Sequence, residues 1–112
     1  MTGAPGTGFG RRAAVRLTMW LDVRDRHRHG SLGVELVKRA RAEGLAGATV
    51  FEGRLGFGAG GDVHRERLFS DDRPLAIVVV DRADRIEAFL QRLEGYAPGV
   101  VTTVEDVEIV DV

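Results

Sequence analysis

The amino-acid sequence predicts an α+β sandwich in the order β-α-β-β-α-β, with two helices on one face of an antiparallel sheet. Three observations predict it. Val15, Leu17, Met19 and Leu21 alternate with Arg16, Thr18, Trp20 and Asp22, the period of two that a half-buried strand requires. Ile86, Phe89, Leu90 and Leu93 recur at i, i+3, i+4 and i+7, the stripe of a helix laid on a core. Residues 75–80 (LAIVVV) are apolar without interruption, as in a strand covered on both faces.

Residues 1–12 are glycine-rich and aperiodic, and read as a flexible tail before a single domain over 13–112. The first strand opens at Ala13. A charged loop, VRDRHRHG, follows it. Ser31 is placed to cap a helix reaching about Leu45, with Gly33, Leu36, Val37 and Ala40 on one face and Gly44 where the helix stops. Residues 48–55 (ATVFEGRL) read as the second strand and 75–80 as the third. Asp81 is a good N-cap for the second helix, which should end at Gly95. A last strand falls within 100–110, where VEDVEIV switches phase. Strand, crossover helix and strand, used twice, make a ferredoxin-like sandwich. Its helices cover one sheet face only, yet the third strand is apolar on both, and Trp20 and Phe51 fall on positions aimed away from the helices. A second copy of the chain is the natural cover, so the sequence predicts a homo-oligomer.

Composition narrows the function. The chain has 112 residues, 44% hydrophobic and 29% charged, with a net charge of −1. A pI near 6.3 argues against nucleic acid as a partner, since such binders carry a basic face. Sixteen residues are basic and Lys38 is the only lysine, so no single arginine marks a site. Without cysteine there is neither a disulfide nor a thiolate metal site. No apolar run approaches a membrane span, and Arg11-Arg12 lacks the context of an export signal, so the expected location is cytoplasmic.

The chemistry concentrates in residues 56–73, GFGAGGDVHRERLFSDDR. A compact hairpin needs only a few residues here, and long loops are usually functional. Glycines let backbone N–H groups approach an anion, and His64, Arg65 and Arg67 stand nearby in sequence. The candidate ligand-binding set is therefore Gly56, Phe57, Gly58, His64, Arg65 and Arg67. Residues 56–61 match G-x-G-x-x-G, but no apolar helix follows, so the dinucleotide fingerprint is rejected.

GLAGATVFEGRLGFG (residues 44–58), with a histidine six residues later at His64, resembles the domain of unknown function 190 family, which is grouped with the PII-like signal proteins. TVEDVEIV (103–110) is similar to its closing strand. The resemblance implies a ferredoxin-like homotrimer with ligand pockets between subunits. It also implies an adenine nucleotide as regulatory ligand rather than a cofactor. Gly56, Phe57 and Gly58 would be the hinge of a mobile loop that bears His64, and a membrane transporter or channel would read it. One segment departs from PII proteins: EGYAPGVVTTVEDV lacks the lysine of their second phosphate-holding stretch, and Tyr96 is no counterpart of their modified tyrosine.

Other constellations carry less. His27 and His29 lack the third and fourth ligands of a metal site and read as a solvated loop, so no metal is expected. Ser31 and Ser70 have no catalytic fingerprint, and Asp71-Asp72 and Glu105-Asp106 are adjacent rather than facing, so no catalytic residue is assigned. Glu35 and Arg39 read as an i, i+4 surface pair. The expected function is a ligand-binding signalling protein. The alternatives are an oligomeric scaffold without ligand and an enzyme acting on a phosphorylated metabolite.

Overall fold

The computed structural model describes residues 8–28, 30–56 and 73–112. The elements are β1 (Gly10–Asp22), β2 (Arg26–His27), β3 (Gly30–Ser31), α1 (Leu32–Ala42), β4 (Thr49–Glu52), β5 (Pro74–Asp81), α2 (Ala83–Tyr96) and β6 (Val101–Asp111). The main sheet runs β4-β5-β1-β6 with every neighbouring pair antiparallel, and β2 and β3 form a separate two-stranded hairpin. This is the expected ferredoxin-like sandwich.

Alternation decides which side chains enter the core. Leu17 and Met19 of β1 and Ile77 and Val79 of β5 are almost wholly buried under Leu36 and Ala40 of α1 and Ile86, Phe89 and Leu93 of α2. Fully burying such side chains stabilises by about 1.5–3 kcal/mol each. The intervening residues Ala76, Val78 and Val80 lie on the opposite face and are half-buried.

Several boundaries differ from the sequence reading, and α1 ends at Ala42, short of Leu45. β1 begins at Gly10, because residues 10–14 pair with 107–111 beyond the last apolar alternation. β4 stops at Glu52, short of Leu55. Arg82, not Asp81, is the N-cap of α2. Asp81 ends β5 instead, where its buried carboxylate accepts the Ala46 N–H (2.9 Å) and the Arg82 N–H (2.7 Å). α2 runs through Gly95 to Tyr96, since Gly95 adopts ordinary helical geometry there.

The phase switch in β6 is not a register break. Pairing with β1 is continuous from Gly10↔Asp111 to Trp20↔Val101. Toward its C-terminal end β6 leaves the helices, so apolar placement no longer follows one face. Cross-strand ion pairs hold that overhang: Arg16–Glu105 at 2.7 Å, Arg11–Glu108 at 2.8 Å and Arg12–Asp111 at 3.0 Å. The hydrogen bond from Arg12 holds the Asp111 carboxyl below its ordinary pKa, and the same bond raises Arg12.

The face away from the helices is apolar at one end. Register places Phe51, Ala76, Trp20 and Val101 in one row across all four strands. Phe51 is 58% and Trp20 48% exposed. The Trp20 indole N–H donates to Thr103 Oγ at 3.1 Å, which fixes the ring against the next row.

Candidate functional site

Four chain reversals converge at the end of the sheet that bears the Phe51–Trp20 row. They are the ends of β1 and β4, the start of β5 and the connection into β6. The candidate loop leaves from this end. Of the predicted ligand set, Gly56 is in place at the loop root, while Phe57, Gly58, His64, Arg65 and Arg67 lie outside the described residues.

The loop root is tightly fastened. Gly53 N–H donates to Pro74 O at 2.7 Å, Val23 N–H donates to Arg73 O at 2.8 Å, and Glu52 forms an ion pair with Arg73. A Cβ on Gly53 would sit 2.5 Å from Pro74 Cγ, nearer than real side chains approach. A Cβ on Gly56 would meet the same ring at 3.3 Å. Both glycines therefore lie against the proline ring, and at Gly53 the lack of a side chain is a steric requirement. Sequence reasoning passed over Gly53 because nothing in the string shows that Pro74 returns to it.

The described residues of the VRDRHRHG segment are held by local hydrogen bonds. Asp22 Oδ1 accepts the Arg24 N–H (2.9 Å), Asp25 Oδ2 accepts the Asp22 N–H (2.9 Å), and Asp25 O accepts the Leu32 N–H (2.9 Å). These aspartate turns fold the chain into the β2–β3 hairpin, with Arg28 in the left-handed region at φ 56°. The spacing of Asp22 and Asp25 was the available signal for it.

His27 of this hairpin stacks on Tyr96, ring centroids 4.3 Å apart, and the Arg39 guanidinium lies 3.7 Å from the centre of the same ring. Arg39 thus pairs with an aromatic face and not with Glu35. Glu35 meets Lys38 at 3.9 Å and accepts the Tyr96 hydroxyl at 3.5 Å. His29 lies outside the described residues, as does His64.

The described part of this end carries Arg24, Arg26, Arg28, Arg54 and Arg73 against Asp22, Asp25 and Glu52. Asp22 and Asp25 hold backbone amides and Glu52 holds Arg73, and the Glu35 carboxylate stands beside Gly30.

Comparison with known proteins agrees with this architecture. The profile of DUF190, described as an uncharacterized ACR, COG1993, matches residues 14–109, and the chain belongs to that family. A UPF0166 protein of Aquifex aeolicus (strain VF5) is 34% identical over 77 residues, 67% of this chain and 72% of that protein. Among solved structures, the apo form of CPII from Thiomonas intermedia K12, a nitrogen regulatory PII-like protein, superposes with a TM-score of 0.62. Identity there is 14%, covering 93% of this chain and 99% of that one. The same CPII bound to ADP and bicarbonate gives a TM-score of 0.58 at 18% identity, over 88% and 90% of the two chains. The fold is that of PII-like proteins.

Proposed function

We propose that this chain is a PII-like regulatory protein, a homotrimer that binds a small anionic ligand of the adenine nucleotide class in clefts between subunits. The observation that carries this reading is the position of the exposed Phe51–Ala76–Trp20–Val101 row, directly beside the loop root. A second copy packed on that row borders the Gly56 turn, so a cleft forms where the arginines gather. CPII, which shares the fold, has been solved with ADP, AMP and bicarbonate.

In this reading Gly56, Phe57 and Gly58 form the turn that receives the anion, and His64, Arg65 and Arg67 close over it. Occupancy then sets the conformation of the loop, which a membrane transporter or channel reads in the cytoplasm. No helix among the described residues is long and apolar enough to cross a membrane. Regulation without turnover is favoured because Asp22, Asp25 and Glu52 already hold backbone or arginine partners and none is poised as a base.

Calorimetry with ADP, AMP and bicarbonate tests the assignment. The wild type is expected to bind at least one nucleotide, and Gly58→Val to abolish that binding with the fold intact. Equal affinity in the two proteins would leave the glycines purely structural, and no nucleotide binding by the wild type would overturn the reading.

A further inference from the structure

We propose that the two outer strands of the main sheet join the copies of this chain, β4 of one pairing antiparallel with β6 of the next. The inference rests on the homotrimer reading above and names the strands that hold it. β4 and β6 bound the sheet, and among the described residues each has one strand neighbour. An outer strand presents a row of backbone donors and acceptors that proteins cover or blunt.

The side chains along both edges are apolar and open. Val50 lies opposite Ile77 and Val104 opposite Leu17. Ile77 and Leu17 are fully buried in the core beneath the helices, yet Val50 is 45% and Val104 55% exposed. The helical layer thus stops short of both outer strands. A strand from a second copy would extend the sheet and cover the valine at each margin.

Strand direction sets the symmetry. Neighbours alternate in sense across the sheet, so β4 and β6 run in opposite directions. Rotation about an axis along the strands preserves sense and lays β6 of one copy antiparallel to β4 of the next. Three such steps close a ring in which every main-sheet edge is paired and the open faces turn inward. Pairing β6 with its own copy about a twofold centred on the strand is disfavoured. It would bring Glu105, Asp106 and Glu108 of the two copies together.

Parity and charge select the register. Thr49 and Phe51 share the open face with Thr103 and Glu105, while Val50 and Glu52 share the helix face with Thr102 and Val104. Phe51 opposite Thr103 sets Val50 opposite Val104 and Glu52 opposite Thr102. A shift of two residues toward the end of β6 sets Val50 against Asp106 and Phe51 against Glu105. The opposite shift sets Val50 on Thr102 and leaves Val104 open. In the selected register Phe51 meets Thr103, whose hydroxyl holds the Trp20 indole, so the paired edges run into the aromatic row.

The chain has no cysteine, which makes disulfide trapping specific. Full-length Val50→Cys/Val104→Cys, mildly oxidised, should run as a covalent trimer with some dimer on a denaturing gel, and as a single chain after reduction. Each single variant should run as a single chain. So should Val50→Cys/Val110→Cys, whose second site is on the same face about 20 Å further along β6. Circular dichroism checks that the variants fold, and amide exchange on the wild type gives a second reading. Residues 102–104 should exchange on the order of tenfold more slowly in the assembly than after dilution to single chains. Trapping by Val104→Cys alone indicates twofold β6 pairing and overturns the proposal, and equal trapping through Val110 overturns its register. A wild-type trimer whose Val50→Cys/Val104→Cys form folds but does not cross-link, or whose residues 102–104 exchange equally in both states, refutes the strand pairing and leaves the trimer standing. A wild type that sediments as a single chain removes both readings together.

Discussion

Replacing Trp20 and Phe51 together by aspartate should separate the subunits while leaving each one folded. An aromatic side chain buries about 150–250 Å² in full. Trp20 is 48% and Phe51 58% exposed in the single chain, so about half of each ring is still open to a partner. At about 25 cal/mol per Å², covering that remainder stabilises association by roughly 2–3 kcal/mol for each ring. Aspartate forfeits this and places an unpaired carboxylate in the interface, a further cost of several kcal/mol. Both positions lie away from the helices, so the core of Leu17, Met19, Ile77 and Phe89 keeps its contacts. Sedimentation velocity at micromolar concentration should return three times 12.2 kDa for the wild type and the single-chain mass for the variant, with unchanged far-ultraviolet circular dichroism. A wild-type monomer, or a variant that keeps the trimer mass, refutes the argument that the open face joins the copies.

The remaining predictions concern the loop root, the core edge and the ribbon. Gly53→Ala forces a methyl against the Pro74 ring and should lower stability by about 1–3 kcal/mol in urea denaturation, more than Gly56→Ala; equal midpoints would show that the root relaxes freely. Asp81→Leu leaves the Ala46 and Arg82 amides without their acceptor and should cost about 1–3 kcal/mol, read from the same denaturation midpoint; a neutral result means that water replaces the carboxylate. Asp111 titrates below its ordinary 3.8, held there by the hydrogen bond from Arg12. Because the folded value is the lower one, its contribution is complete above the unfolded pKa and is lost as pH falls through the folded value. Acid therefore loosens the β1–β6 overhang. Carboxyl nuclear magnetic resonance should place the Asp111 midpoint under 3.8 and return it upward in Arg12→Gln; a native midpoint above 3.8 contradicts the pairing.

Periodicity made the fold legible, and proximity across the chain limited the reading of the site. The β1 alternation, the α2 stripe and the apolar run of β5 each reflect one element meeting one core, so local pattern sufficed. Trp20 and Phe51 could be assigned to the open face for the same reason. Asp81 misled because N-capping and anchoring of another segment use the same carboxylate. Its second partner, Ala46, is 35 residues distant. The start of β1 was set too late because cross-strand ion pairs, not apolar alternation, extend it. Gly53 escaped notice for a related reason: its constraint is the ring of Pro74, which only folding brings back to it.

The way the loop root is fastened bears on how this protein can diverge. Glu52 faces Leu75 across a strand pair, and the Gly53–Pro74 bond holds both exits at strand spacing whatever lies between them. Closing a chain between fixed ends grows only with the logarithm of its length, about 0.6 kcal/mol per doubling. The stretch from 57 to 72 is thus a cassette: it can be lengthened, shortened or rewritten by mutation while the sandwich beneath is left alone. Lineages that share this scaffold are free to change this stretch faster than they change shape.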